Sequence, residues 1–461
     1  MISETQSKHM LQCWSAQKSY LPDVIVRTEG CWMHTDDGRK IFDLRSAHEC
    51  INLGFNHPRV LDAMQKQMNS LIYITDDFAS EPTALLAKKL SDITPGEGNK
   101  KVWFGQSGAG AVEAALKVAR FYKYNQLLEK GREAFQGSNQ YPYPYKIISR
   151  YRSWHGAGGS AMSASGDPRR WFGEPVSMPG VVFAPDAYPY RSPFGEDPDG
   201  HRAADYLEYI IEMEGGSGFV AAVIVEPVVG SNGIIPAPKA YMKRVREICD
   251  KHGLLLIVDE TMTGLGRTGK MLAIEHYEVV PDILVMGKAL GVYCPLSACI
   301  VSAEVASTFD DYIFGHGQSF SGHALACRAA LESLKVIEEE GILENTVKLG
   351  EYLHQELKKL GDKHPSVGEV RGLGLMWTLE LVKDRESKKP IRSTGEKYDD
   401  NPVKELADFL YNEKDIYLPS DKFGVWIMPP LIVTADEIDM IVSALDKALE
   451  ITDDYYTGNN S

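Results

Sequence analysis

The sequence has few cysteines for its length and no dense cluster of them. Seven cysteines are scattered over 461 residues, and no two of them have the CxxC spacing of a zinc ligand pair. This scarcity argues against a disulfide framework and against a structural zinc site, so we predict no metal. We expect free thiols in a reducing, cytoplasmic compartment.

Basic runs and long apolar stretches are also missing. Lys and Arg number 49 against 64 Asp and Glu, which gives a net charge of −15. Since nucleic-acid affinity comes chiefly from neutralising phosphates, this balance argues against a polyanionic partner. The longest apolar stretches, such as residues 219–225, are strand-sized, and residues 1–20 lack the apolar core of a secretory signal. We therefore expect neither a nucleic-acid nor a membrane partner.

What the sequence does contain is an alternation of short β-rich runs with helical segments. Such alternation is typical of a mainly parallel sheet that is covered by helices on both faces. The β-rich runs are residues 102–104, 145–148, 181–183, 220–225, 254–258 and 283–285. After residue 325 the pattern changes to amphipathic helices at 324–340 and 345–360, a strand at 374–382 and a final helix. Thr434 with Glu437 predicts a capping box at the start of that helix.

We therefore predict an α/β fold with a large domain and a smaller α+β domain. Residues 60–325 form the predicted large domain, while residues 1–59 and 326–461, the two chain ends, form the smaller one. Two polar stretches, residues 130–145 and 383–402, are predicted to be surface loops.

Three features of the predicted large domain suggest chemistry. Ser107, Gly108 and Ala109 follow one strand and open a helix, where backbone N–H groups and the helix N-terminus favour an anion. An ordinary tight turn with an N-cap is the alternative. Asp259 ends a buried strand, at the edge where open α/β sheets place ligands. An acid there can bind a metal, act as a base or pair with a cationic ring.

The next residue, Glu260, is a second acid at the same strand end. For these two acids the alternative is a structural salt bridge, and Arg267 is a candidate partner. The third feature is Lys288, which ends another buried strand. A buried amine is costly unless it is paired or covalently engaged, and burial makes it nucleophilic. A surface lysine is the alternative for Lys288 alone, but the three features together favour a functional amine.

These features recur, in the same order, in a known family. The matching segments are residues 107–113, 154–156, 226–227, 259–260, 263–269, Lys288 and 316–323. From about Trp14 to Leu449 the chain resembles the class III aminotransferases, which are pyridoxal-phosphate (PLP) enzymes of fold type I. The resemblance implies that fold and PLP as the cofactor.

The resemblance also implies roles for individual residues. Lys288 would hold the cofactor through its amine and then move a proton between substrate and cofactor carbons. Asp259 would pair with the ring nitrogen. The other implied cofactor contacts are Ser107, Gly108 and Ala109 at the phosphate, Trp154 and Thr261 on the two ring faces, His155 and Glu226 beside the pocket, and Ser319. Because Ser319 matches a position that reaches the phosphate of the neighbouring subunit, the resemblance implies a homodimer with shared active sites.

Within the family, four segments resemble the taurine aminotransferase branch. They are residues 14–17, 150–156, 166–171 and 190–192. This implies a donor with a distal anion, such as taurine, β-alanine or a related ω-amino acid, and pyruvate or 2-oxoglutarate as the acceptor. Trp14 and Trp154 would form an aromatic floor, and Arg152 is a candidate cation for the acid group unless it pairs with a surface acid. Arg150, Arg169, Arg170 and Arg191 are weaker candidates.

Two departures from the family pattern concern phosphate and substrate binding. Gly110 stands where the family usually has Glu. Pro419 stands near the place where many relatives carry an Arg that holds a substrate carboxylate, and Lys422 is a candidate replacement. Two alternatives to an ω-amino-acid transaminase remain open. One is another PLP reaction on the same scaffold, an aminomutase or decarboxylase, and the other is a non-catalytic α/β protein that binds a phosphate ligand.

Overall fold

The computed structural model describes residues 2–19, 21–129, 143–174, 177–392, 401–420 and 424–458. Most of the predicted surface stretch at 130–145 therefore lies outside the described residues. The α-helices are Ile2–His9, Pro58–Met68, Glu81–Ile93, Gly108–Glu129, Gly159–Ala164, His201–Met213, Lys239–His252, Ala303–Asp311, Ala324–Glu339, Ile342–Lys363, Pro402–Glu413 and Ala435–Asp453. Among these, none combines the length and the apolar character needed to cross a bilayer.

A seven-stranded sheet forms the centre of the fold. Its strands, in spatial order, are Lys101–Gly105, Ser297–Val301, Ile283–Met286, Leu255–Asp259, Val220–Val225, Lys146–Arg150 and Val181–Ala184. All six predicted strands are present and run in one direction. Ser297–Val301, which we did not predict, lies antiparallel to both of its neighbours. The α/β class with a mainly parallel sheet is therefore confirmed.

Helices cover both faces of this sheet, which explains why its central strands are continuously apolar. Every residue of Val220–Val225 and Leu255–Asp259 is buried. The alanine-rich side of Gly108–Glu129 packs on one face, and His201–Met213 and Lys239–His252 pack on the other. A strand that is buried on both faces has no polar face, so it shows no alternation in the sequence.

The two ends of the chain meet in smaller sheets beside the large one. One sheet contains Ile25–Glu29, Trp32–Thr35, Lys40–Asp43 and, from the far end of the chain, Ile416–Tyr417. A second small sheet contains Val367–Leu373, Met376–Asp384, Lys389–Pro390 and Gly424–Ile427. A third consists of the short strands Val228–Val229 and Ile235–Pro236.

The capping box predicted for the last helix is confirmed, because Thr434 and Glu437 each accept a backbone N–H from the other.

A left-handed turn at Ser46–Glu49 follows the strand Lys40–Asp43 of the first small sheet. The φ angles of its four residues are +49°, +46°, +60° and +61°, and none of the four is a glycine. Left-handed backbone costs about 1–2 kcal/mol per L-residue, so the surrounding contacts must hold this turn in place. Asp43 is one such contact, since its carboxylate accepts the N–H groups of Arg45 at 2.9 Å and Ala47 at 2.6 Å.

Candidate active site

The three chemical features converge at the carboxyl edge of the central sheet. Asp259 ends its strand beside the parallel strand Ile283–Met286, in register with Val285, and Lys288 follows two residues after that strand. Gly287 packs so tightly on the phosphate-type turn that a Cβ added to it would lie 3.2 Å from Cα of Gly108. The absence of side chains at these two glycines allows the lysine strand and the turn to touch.

These features line one cavity at the carboxyl edge of the sheet. Eight of the ten predicted cofactor residues line it: Gly108, Ala109, Trp154, His155, Glu226, Asp259, Thr261 and Lys288. Gly156, Ser231 and Met262 complete the lining. Ser107 lies at its margin, where its hydroxyl accepts the N–H of Gly110 at 3.1 Å, and Ser319 is exposed on the surface.

Asp259 is a buried carboxylate with partly satisfied oxygens. Its side chain is buried, with Oδ1 accepting the backbone N–H of Thr261 at 2.9 Å and Oδ2 lying 2.8 Å from Nδ1 of His155. Because a carboxylate can only accept, His155 is the donor of that hydrogen bond. The histidine thus fixes the orientation of Asp259, whose remaining acceptor capacity is open to the cavity.

Lys288 faces a second carboxylate, which the sequence analysis missed. Its Nζ lies 2.5 Å from Oε2 of Glu49, whose side chain is 4% exposed. Burial by itself would raise the pKa of Glu49, but the charges of Lys288 and Arg45 outweigh it and lower that pKa. An ionised acid therefore lies directly beside the amine. Glu49 belongs to the left-handed turn, which carries no glycine signal, so only its spacing of four residues from Arg45 hinted at a charged pair.

Glu226 holds Trp154 at the cavity wall. Its two carboxylate oxygens accept the backbone N–H groups of Trp154 at 3.0 Å and Gly230 at 3.1 Å. Burial is the main reason why the pKa of Glu226 is raised. The guanidinium of Arg169 lies 3.6 Å from the ring centre of Trp154 and 5.5 Å from that of Trp14. The two tryptophan rings themselves meet edge to face at 5.8 Å, so Trp14 does reach the site.

The expected pairing of Arg267 with Glu260 is wrong. Arg267 is fully buried and donates to the carbonyls of Leu375 and Pro429 and to the side chains of Ser46 and Asn52. Ser46 belongs to the left-handed turn and Asn52 follows it, so Arg267 ties this part of the chain to Leu375 and Pro429. A guanidinium has five N–H donors, more than the single carboxylate of Glu260 could accept.

Glu260 is satisfied without an arginine. Its carboxylate accepts from the hydroxyl of Thr263 and from the backbone N–H groups of Ala273 and Ile274. Burial raises the pKa of Glu260 to about 7.

The candidate cations for the substrate acid group already have partners where they are described. Arg152 forms an ion pair of 2.9 Å with the largely buried Asp186, and its guanidinium lies over the ring of Tyr188. The weaker candidates have these partners: Arg150 the carbonyl of Glu226, Arg169 the carboxylate of Asp167, Arg170 that of Glu174, and Arg191 that of Glu380. Lys422 lies outside the described residues.

The cavity fits a ring with a cationic nitrogen and a phosphate. The polar atoms His155 Nε2 and Thr261 Oγ1 are buried without a hydrogen-bond partner among the described residues, so a ligand has atoms to satisfy. At one end of the cavity a helix begins at Gly108, and its N-terminus can bind a phosphate. Gly156 packs closely on this turn, since a Cβ added to it would lie 2.5 Å from Cβ of Ala109. Asp259 supplies the carboxylate, and Lys288 the amine.

A fold of this kind, with such a lysine and carboxylate in one cavity, defines a PLP enzyme of fold type I. The sequence model of the family "Aminotransferase class-III" matches residues 14–449. The chain belongs to this family and uses PLP as its cofactor.

Individual relatives span the whole chain. The taurine–pyruvate aminotransferase of Bilophila wadsworthia is 34% identical over 96% of this chain and 95% of its own. The leucine/methionine racemase of Thermococcus litoralis is 32% identical over 97% of this chain and 95% of its own. The taurine:2-oxoglutarate aminotransferase structure from Bifidobacterium kashiwanohense, in complex with PLP and glutamate, is 31% identical and superposes with a TM-score of 0.89 over 98% of both chains.

Proposed function

We propose that this aminotransferase moves the amino group of an ω-amino acid, taurine or a β-alanine-like donor first among them, to 2-oxoglutarate or pyruvate. The observation that carries the proposal is the single cavity shared by Lys288, Asp259 and the turn at Gly108. Similarity to two taurine aminotransferases supports the donor class. The contact between Trp14 and Trp154 also supports the donor class, because it brings together the two residues of the predicted aromatic floor.

Eight of the residues that line the cavity, and Ser107 at its margin, have proposed tasks. PLP, when bound, supplies an aldehyde that captures an amine and a ring that accepts the electron pair released at the substrate carbon. Lys288 holds the cofactor and carries the proton, while Asp259, oriented by His155, accepts the N–H of the ring nitrogen. The backbone N–H groups at Gly108 and Ala109 bind the phosphate, with Ser107 at the margin. Trp154 and Thr261 enclose the ring, and Glu226 fixes Trp154.

We also propose a homodimer and a cytoplasmic location. Ser319 is exposed and lies outside the cavity of its own chain, as a residue that reaches the phosphate of a partner subunit must. Gln318 places this segment beside the phosphate turn, since its amide oxygen accepts the backbone N–H of Gln106 at 3.1 Å. All seven cysteines are free, which is consistent with a reducing compartment.

A donor screen against both oxo acids tests the proposed reaction. Taurine, β-alanine, 4-aminobutyrate, diamines and α-amino acids are each incubated with pyruvate or 2-oxoglutarate, and the alanine or glutamate formed is measured. We expect taurine or β-alanine to give the highest kcat/KM. Lys288→Ala is the control and should form no product. Reaction with α-amino acids alone would overturn the ω-amino assignment while leaving the cofactor assignment intact.

The same screen separates transamination from other PLP reactions. The lysine and the carboxylate also serve aminomutases and decarboxylases, and a racemase is among the relatives. A transaminase forms one amino-acid product per donor consumed, whereas these other reactions need no oxo acid. Membership in an aminotransferase family already removes the non-catalytic alternative.

A further inference from the structure

Two charged groups beside Lys288 have unused hydrogen-bonding capacity. Oε1 of Glu49 and Nε of Arg45 are both buried, and neither has a hydrogen-bond partner among the described residues. They lie 3.7 Å apart, which is beyond hydrogen-bonding distance. Besides this 3.7 Å ion pair, Arg45 makes one weak hydrogen bond, from Nη1 to the hydroxyl of Tyr417 at 3.4 Å, and its side chain is 24% exposed. A buried acceptor and a buried donor are thus left without a hydrogen bond next to Lys288, which lines the cavity.

The fold holds these two groups in place at a conformational cost. Glu49 belongs to the left-handed turn and Arg45 directly precedes it, and strained backbone that persists in a folded protein is concentrated at functional sites. Asp43 accepts two N–H groups of the turn, and Ser46 is bonded on one side to the carbonyl of Met428 at 2.6 Å and on the other to Arg267 at 3.2 Å. The turn is therefore a rigid support for Glu49.

We propose that Glu49 and Arg45 together recognise a zwitterionic donor, Glu49 receiving its ammonium group and Arg45 its carboxylate or sulfonate group. This inference rests on the proposed function, which it narrows to donors whose amine and acid groups are a few bonds apart. It also assigns the acid-binding role to a residue that was not among the sequence candidates.

The charges next to Lys288 support the assignment of the donor's ammonium group to Glu49. With its amine free, Lys288 offers Glu49 three N–H donors, and the two form an ion pair. When that amine holds the cofactor, it no longer has most of these N–H groups. The carboxylate of Glu49 can then accept from the ammonium group of the incoming amine substrate. The donor nitrogen then lies beside Lys288 and reacts there once its ammonium group has passed a proton to the carboxylate of Glu49.

The acid group of the donor meets Arg45, which directly precedes this turn and lies 3.7 Å from Glu49. A guanidinium is suited to carboxylate and sulfonate oxygens because its planar donors bind two of them at once. Arg152 is less suited, since its Nε is only 2.9 Å from the carboxylate of Asp186, whereas Nε of Arg45 lies 3.7 Å from that of Glu49. A donor without an acid group leaves Arg45 unsatisfied and is disfavoured.

Matched donor pairs test this recognition in the holoenzyme. β-Alanine is compared with propylamine, and taurine with ethylamine, at fixed 2-oxo acid, in the wild type, Arg45→Met, Glu49→Gln and the exposed control Arg27→Met. We expect Arg45→Met to lower kcat/KM about tenfold or more for the two acidic donors and to leave the plain amines nearly unchanged. Glu49→Gln should lower kcat/KM for all four amines, and Arg27→Met for none.

Two kinetic results would overturn the proposal. One is an unchanged ratio of β-alanine to propylamine in Arg45→Met, and the other is the loss of this ratio in Arg152→Met instead. Full activity of Glu49→Gln with all four amines would remove the role of Glu49. Circular dichroism and melting curves of each variant exclude misfolding as the cause.

A binding measurement without turnover separates this inference from the proposed function. Ethanesulfonate has the acid group of taurine but no amine, so it cannot react. In calorimetric titration of the holoenzyme, we expect it to bind Arg45→Met about tenfold or more weakly than wild type. If no donor is transaminated, the proposed function fails, while this titration still decides whether Arg45 binds the acid. Equal affinity in both proteins would refute that role.

Discussion

Replacing Arg267 with methionine should destabilise the whole protein. The side chain is fully buried and donates to four oxygens: those of Leu375 at 3.0 Å, Pro429 at 2.5 Å, Asn52 at 2.6 Å and Ser46 at 3.2 Å. Methionine fills much of the volume but donates to none of them. With roughly 1–1.5 kcal/mol for each lost bond, the free energy of unfolding should fall by about 4–6 kcal/mol.

Thermal denaturation measures this loss directly. An unfolding entropy of about 2.1 cal/mol/K per residue over the whole chain makes 1 kcal/mol equal to about 1 °C, so Arg267→Met should melt about 4–6 °C lower. Arg267→Lys keeps the charge but loses the fork geometry of the guanidinium, so its melting temperature should lie between those of the wild type and Arg267→Met. Arg27→Met removes an exposed arginine and serves as the control. If Arg267→Met melts within about 1 °C of the wild type, these hydrogen bonds do not hold the turn.

Three further outcomes follow from the site. Lys288→Ala should lose turnover and covalent cofactor attachment, read as the absence of protein-bound absorbance after borohydride reduction and gel filtration in denaturant, which the reduced wild type retains. Gly156→Ala should weaken PLP binding about tenfold or more in titrations of the apoprotein, because φ is +133° there and the new Cβ would lie 2.5 Å from that of Ala109. Glu260 has a pKa raised from 4.5 to about 7 by burial, so the folded state keeps a proton that the unfolded chain loses. Relative to Glu260→Gln, wild-type stability should therefore fall by about 3 kcal/mol as the pH rises from 4.5 to 7, measured by urea unfolding at several pH values.

The parts of the fold and site that depend on local pattern were predictable from the sequence. Continuous apolar runs predicted the six parallel strands, because burial on both faces leaves no alternation. Asp259 and Lys288 were predictable because each ends such a run, and parallel strands end at the same edge of the sheet.

The parts that depend on long-range contacts were not predictable. The antiparallel strand Ser297–Val301 has the same apolar composition as its neighbours, so its direction is set only by packing. The role of Arg267 depends on residues more than a hundred positions away in the chain. Glu49 lies in a left-handed turn without glycine, whose conformation comes from tertiary contacts rather than from residue preference.

The edge-to-face contact of Trp14 with Trp154 has a practical consequence for anyone who works with this protein. The peptide around residue 14 supports the active-site wall, because the indole of Trp14 packs against Trp154, which lines the cavity. A purification tag or a deletion at that end would disturb the indole against which the cofactor is expected to stack. Carboxy-terminal fusions leave this wall untouched and are the safer choice for measuring donor preference.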